Sequence, residues 1–104
     1  MAYATLAQVK EILTLKSEDE SEKTELEHCI VAADAYIDAR LYQYDTSGDA
    51  GDENCKMAAS LIAAWIFSSR RSPDEAEKFF KQHDTFLQAF ITTDISGSIG
   101  GRRG

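Results

Sequence analysis

Two histidines and two cysteines are the side chains of this sequence best suited to catalysis or metal binding, and their spacing keeps them apart. An enzyme should bring together a nucleophile, a base and a stabilising donor. His28 and Cys29 are neighbours in a helix-patterned segment, so their side chains diverge by about 100° and cannot share a ligand site. Cys29 falls near an apolar stripe and reads as a small hydrophobe. His83 sits at the centre of another apolar stripe, where a satisfied, partly buried core histidine is favoured over a catalytic one. No nucleophile–base pair emerges. The expectation is no enzyme, no metal site and no cofactor site.

The loops offer two further candidates for ligand binding. Asp45, Asp49, Asp52 and Glu53, with two glycines among them, resemble a calcium loop at first. The EF-hand pattern needs Asp-x-Asp/Asn-x-Asp/Asn-Gly and a glutamate at position 12. Counted from Asp45, the third and fifth positions are Ser47 and Asp49, but the sixth is Ala50 rather than glycine. A solvated acidic loop is expected instead. The tail segment Ser96-Gly-Ser-Ile-Gly-Gly101 lacks the Lys-Ser/Thr and the helix start of a phosphate loop. It is expected either to be disordered or to order on a partner, with Ile95 and Ile99 as anchors and Arg102 and Arg103 pairing acidic groups. Arg70 and Arg71 end an apolar segment, where cations satisfy a helix C-terminus. Contact with a partner is the alternative role for that pair.

Composition narrows the function classes further. The chain has 104 residues, 43% hydrophobic and 28% charged, the balance of one soluble globular domain. A net charge of −7 disfavours phosphate-driven nucleic-acid binding and attachment to an anionic membrane. Two cysteines without a CxxC pair make a reducing compartment the default. The N-terminus has no basic start followed by an apolar stretch, so no signal peptide is expected. The longest uncharged run, 57–69, falls short of the about 20 apolar residues that span a bilayer.

The elements that would hold these residues are helical. A single proline and few glycines before residue 96 disfavour a turn-rich all-β domain. Thr5 and Gln8 form a capping box for a first helix with Leu6, Val9, Ile12 and Leu13 on one face, ending near Leu15. Ser17 can cap a second, running to about Tyr44, with Glu18, Asp19, Glu20 and Glu22 crowding its first turns. Its core stripe is Leu26, Ile30, Ala33, Ile37 and Leu41. Opposite lies a second stripe of His28, Val31, Ala32, Ala35, Ala39 and Tyr42, whose small side chains let another helix approach. A third helix runs from about Asp52 to Ser69, and its segment Met57–Phe67 is apolar all round and belongs in the middle of a bundle or between subunits. Ser72-Pro73-Asp74-Glu75 opens a fourth, amphipathic helix with Ala76, Phe79, Phe80, His83, Phe86, Leu87, Phe90 and Ile91 on one stripe. The fold class is therefore all-α, a compact bundle of about four helices over 1–91 with a flexible glycine-rich arm over 92–104.

Two apolar stripes on one helix exceed what a lone bundle needs, so self-association or partner binding is favoured over complete burial within a monomer. In order and pattern these features resemble the small helical head-tail connector (adaptor, or head-completion) proteins of tailed phages and prophages. The resemblance lies in Tyr3-Ala-Thr-Leu-Ala-Gln-Val-Lys10, which opens the short first helix, and in Ala32-Ala-Asp-Ala-Tyr-Ile-Asp-Ala-Arg-Leu41 in the long second one. The apolar third helix, the amphipathic fourth and the C-terminal arm complete it. Relatives often carry prolines in the loop corresponding to 45–52, and this chain has none. The resemblance implies a structural virion subunit, made in the host cytoplasm. Rings of commonly about twelve copies would dock under the portal protein at the head-tail interface. The ring would extend the DNA channel and meet a tail or stopper protein, and DNA would pass without sequence-specific binding. By position, Ile95, Ile99, Arg102 and Arg103 would reach the portal, and the acidic Glu18, Asp19, Glu20 and Glu22 would line a channel that repels phosphates. The second stripe would be the subunit seam. The competing reading is a small acidic regulatory module whose segment 18–27 masks a basic protein partner.

Overall fold

Apolar character all round the segment Met57–Phe67 dictates the architecture, because a helical stretch without a polar face must be covered. In the computed structural model residues 58–64 are buried, while Met57, Trp65 and Ile66 are partly covered. The structure describes the backbone of residues 2–15 and 19–103, and the side chains of these up to residue 93. The order is α1 (Leu6–Leu13), α2 (Glu20–Tyr42), α3 (Glu53–Ser68) and α4 (Pro73–Arg103), with no strand among the described residues. Helix α3 is the hub: α4 packs along it most extensively, α2 next, and α1 closes a further side. The all-α bundle of four helices is thus as expected.

Inside the hub, Ala58, Ala59, Ala63 and Ala64 are buried and let the neighbouring helices come close, while Cys55, Leu61, Ile62 and Phe67 fill the remaining space. Ser60 is fully buried without penalty because its hydroxyl donates to the Lys56 carbonyl at 2.7 Å. Val9 of α1, Leu26, Ala33, Ile37 and Leu41 of α2, and Leu87, Phe90 and Ile91 of α4 complete one core. Cys29 joins the α2 stripe, whereas Ile30 is only partly buried.

Helix ends follow cap chemistry. Thr5 caps α1, its hydroxyl accepting from the Gln8 N–H at 3.3 Å. The helix stops at Leu13, before the expected Leu15, because Thr14 turns left-handed at φ 56° and its N–H bonds back to Glu11. Helix α2 starts later than its sequence suggests. Asp19 is the cap, its carboxylate accepting from the N–H groups of Ser21 and Glu22 and from the Ser21 hydroxyl. Ser17 and Glu18 lie outside the described residues. The helix ends at Tyr42 rather than Tyr44, and Asp45 reverses the chain at φ 55°. Asp52 caps α3 through the N–H groups of Asn54 and Cys55, and α4 starts at Pro73. The arm expected over 92–104, with its Ile95, Ile99, Arg102 and Arg103, falls almost wholly outside the described side chains.

Before α1 the chain forms an extended strap pinned to α2. Tyr3 is 2% exposed, and the N–H groups of Tyr3 and Ala4 both donate to Asp34 Oδ1, at 3.1 and 3.2 Å. The Tyr3 hydroxyl donates to Asp38. The loop 45–52 crosses this ring so closely that a Cβ on Gly48 would collide with the Tyr3 hydroxyl and the ring carbon that bears it. Gly48→Ala should therefore cost about 1–3 kcal/mol, the usual penalty of overpacking. A urea titration would read that loss, and an unchanged midpoint would show that the loop yields freely.

Candidate interaction surface

Helix α2 buries one face and leaves the other in solvent. His28, Val31, Ala32, Ala35, Ala39 and Tyr42 are all exposed. Val31 is 69% exposed and Tyr42 81%, and with Tyr44 at 40% they are the large hydrophobic side chains the fold leaves uncovered among the described residues. Side chains three and four apart share a helix face, so these six residues form one continuous strip. The strip expected from the sequence is thus one surface, and it contributes nothing to the monomer's core.

Beside the strip, where the N-terminal half of α2 meets the C-terminal end of α3, lies a groove of about 520 Å³. Cys29, Ala32, Ile66 and Phe67 supply its apolar lining, and Glu25, His28, Arg70 and Arg71 its polar lining. His28 and Ala32 therefore belong to both groove and strip. A smaller notch of about 260 Å³ between α3 and the start of α4 is lined by Trp65, Ser69, Pro73, Ala76, Glu77 and Phe80.

The two arginines divide their work. Arg71 donates to the Phe67 carbonyl at 2.7 Å and to Glu25 at 2.8 Å, and its guanidinium lies 3.9 Å from the centre of the Phe67 ring. It completes the end of α3 and ties it to α2. The hydrogen bond from Arg71 holds the Glu25 carboxyl below the usual range. Arg70 has no ion-pair partner among the described residues and is exposed at the groove. Of the pair expected to contact a partner, only Arg70 stands clear, because satisfying the α3 carbonyls occupies Arg71.

The acidic residues also separate by use. Asp19 is exposed but committed to its cap, and hydrogen bonds led by the Ser21 hydroxyl lower its pKa. Glu20 and Glu22 occupy the first turn of α2. Asp34 and Asp38, which sequence reasoning did not single out, clamp the strap. Burial pushes the Asp34 carboxyl up against the opposing pull of two backbone N–H groups, and burial followed by Asp38 pushes the Tyr3 phenol above its ordinary value. A pair of like charges four residues apart, without basic partners one turn away, was the available signal.

The remaining chemical candidates sit in structural roles. In the loop, Asp49 accepts from the Gly51 N–H at 2.8 Å, and Asp52 caps α3. No group of three or more His, Cys, Asp or Glu side chains could hold a metal ion among the described residues. Cys29 and Cys55 are free and buried, and burial raises both thiol pKa values. His83 is fully buried, not partly as expected, within an aromatic cluster of Tyr36, Trp65 and Phe80 that joins α2, α3 and α4. Its Nδ1–H donates to the Phe80 carbonyl, and Nε2 has no hydrogen-bond partner among the described residues.

No helix of the described residues is long and apolar enough to cross a membrane. Compared with protein-family models, with curated proteins and with solved structures, the chain matches none.

Proposed function

We propose that this chain is a structural head-tail connector subunit of a tailed phage or prophage. It forms a ring under the portal at the head-tail interface of the virion, and so extends the DNA channel and joins capsid to tail. The observation that carries the reading is the uncovered strip of α2, with Val31 and Tyr42 more than two-thirds exposed on a helix whose other face is core. Single exposed apolar side chains are ordinary, but here they bracket a continuous strip with Ala32, Ala35 and Ala39, and a contiguous apolar strip suits a partner. The negative charge of the chain suits a conduit for DNA, since acidic walls repel phosphates and let the duplex slide. The sequence pattern of the four helices supports the same reading.

Mixing the full-length protein with portal rings of the same virus tests it directly by electron microscopy. Expected are added ring-shaped layers on the portal at micromolar protein. Tyr42→Glu should weaken that assembly at least tenfold, equivalent to about 1.4 kcal/mol, without shifting the thermal midpoint of the free protein. Absence of any added layer would overturn the proposal. The rival reading, an acidic module that binds a basic partner, predicts another pattern: reversing Glu20, Glu22 and Glu27 to lysine should abolish binding while Tyr42→Glu leaves it intact.

A further inference from the structure

We propose that copies of this chain join head to tail through two unlike patches of α2. Tyr42, at the C-terminal end of the helix in one copy, enters the groove beside the N-terminal half of the helix in the next, and Asp45 of the first meets Arg70 of the second. This rests on the ring-subunit reading and names the contact within it.

The two patches complement one another in shape and charge. Tyr42 is the most exposed large apolar side chain of the fold at 81%. The groove has a volume of about 520 Å³ and an apolar lining from Ala32, Ile66 and Phe67. Pockets of this size take ligands larger than one aromatic ring, and tyrosine buries a large area for little rotamer entropy. Copies that each carry −7 repel one another, so a contact between them is favoured where a cation meets an acid. Arg70 is such a cation, exposed at the groove without a direct ion pair among the described residues, its charge reaching Glu25 only at longer range while Arg71 holds that carboxylate. Asp45 is exposed in the turn immediately after Tyr42, its N–H bonded to the Tyr42 carbonyl at 3.0 Å.

The spacing of the two patches permits two modes. Ala32 and Tyr42 stand ten residues apart on the exposed strip of α2, about 15 Å along its axis. Reciprocal engagement of antiparallel copies would close a two-fold dimer, whereas engagement in one direction leaves one patch of each kind unused, so that association continues beyond two copies. The proposed contact is the second of these.

Cysteine cross-linking distinguishes these cases. Ala32→Cys and Ala39→Cys, the latter one turn from Tyr42 and sparing its ring, are each placed in a Cys29→Ala background, so that only the introduced thiols face solvent. They are oxidised singly, mixed, and combined in one chain. Each preparation is run at high protein concentration alone and on portal rings. The mixture should give disulfide-linked dimers at least tenfold faster than either variant alone, and the chain carrying both cysteines should give a ladder of higher species. Ala39→Cys dimerising alone as fast as the mixture would overturn the proposal in favour of like-patch pairing, and a doubly linked dimer without a ladder would overturn it in favour of a two-fold pair. No cross-link in either setting would also overturn it. Exposed charge swaps, which leave the core untouched, provide the second arm. Arg70→Glu and Asp45→Arg should each weaken assembly at least tenfold, and together restore it to within threefold. Layers on the portal without a 32–39 cross-link would refute this contact and keep the connector reading. Ladders without portal binding would do the reverse, and absence of both would sink the two together.

Discussion

Ile62→Ala is expected to lower the unfolding free energy by about 2–5 kcal/mol, the range for truncating a buried aliphatic side chain to alanine. At about 4–8 °C per kcal/mol for a domain of this size, the thermal midpoint should fall by about 8–40 °C. The upper half of the range is favoured because Ile62 has no exposure and belongs to the hub helix, on which both α2 and α4 pack. A void there cannot be filled by one neighbour relaxing inward. Ile62→Val, which removes one methyl, should cost about 0.5–1.5 kcal/mol and fix the slope of the series. Val31→Ala supplies the contrast. It removes apolar atoms of the same kind from a side chain 69% exposed, so its effect should stay within about 0.5 kcal/mol. Differential scanning calorimetry of the three variants reads all of this. If Val31→Ala cost as much as Ile62→Ala, the division of α2 into a core face and a free face would be wrong.

That contrast also separates what sequence reasoning reaches from what it misses. A segment apolar on every side must be covered, either inside a bundle or between subunits, and packing resolves that choice in favour of the bundle centre, while the single apolar stripe of α4 marks the face it turns inward. The two stripes of α2 were legible for the same reason, since helical spacing alone sorts Leu26, Ala33, Ile37 and Leu41 from Val31, Ala35 and Tyr42. Cap choice was less determined. Ser17 and Asp19 both precede the acidic turn, and a carboxylate that accepts from two backbone N–H groups and a hydroxyl at once makes Asp19 the stronger cap.

Contacts between distant parts of the chain left almost no local trace. Tyr3 meets Asp34 and Asp38 across separations of 31 and 35 residues, and no periodicity encodes such a pairing. The groove depends on how far the ends of α2 and α3 splay, which is a property of packing. Only its lining residues were visible beforehand, as part of a stripe and as a terminal arginine pair. Arg71 is the instructive member of that pair. Two adjacent cations look alike in sequence, yet one lies over Phe67 and satisfies a carbonyl while its neighbour is left for solvent.

His83 makes the second large effect, and one with a pH signature. Truncation to alanine should cost about 3–5 kcal/mol, as for other large buried rings, because it opens the centre of the Tyr36–Trp65–Phe80 cluster. His83→Phe should behave quite differently. It keeps a ring in place and removes a buried nitrogen that has no partner, a group whose desolvation costs about 1–3 kcal/mol. The exchange is therefore expected to be near neutral at pH 7, and the loss of the Nδ1–H bond to Phe80 offsets part of the gain. Burial, with the positive Arg40 nearby, lowers the His83 pKa from its ordinary 6.5. In the unfolded chain the ring takes up a proton as pH falls through 6.5, while in the folded chain it stays neutral to lower pH. The unfolded state then binds more protons, so stability rises with pH in this window and is lost on acidification from about 7 towards the lowered folded value. Asp34, whose folded pKa is raised, acts in the opposite direction, and Asp19 and Glu25, whose folded values are lowered, act below their ordinary 3.8 and 4.5. All three are common to both proteins, so the difference between wild type and His83→Phe isolates the imidazole. Urea midpoints at pH 7, 6 and 5 should diverge in favour of the phenylalanine variant as pH falls. Parallel curves would mean that the folded ring is protonated as easily as the free one, and that Nε2 reaches water after all.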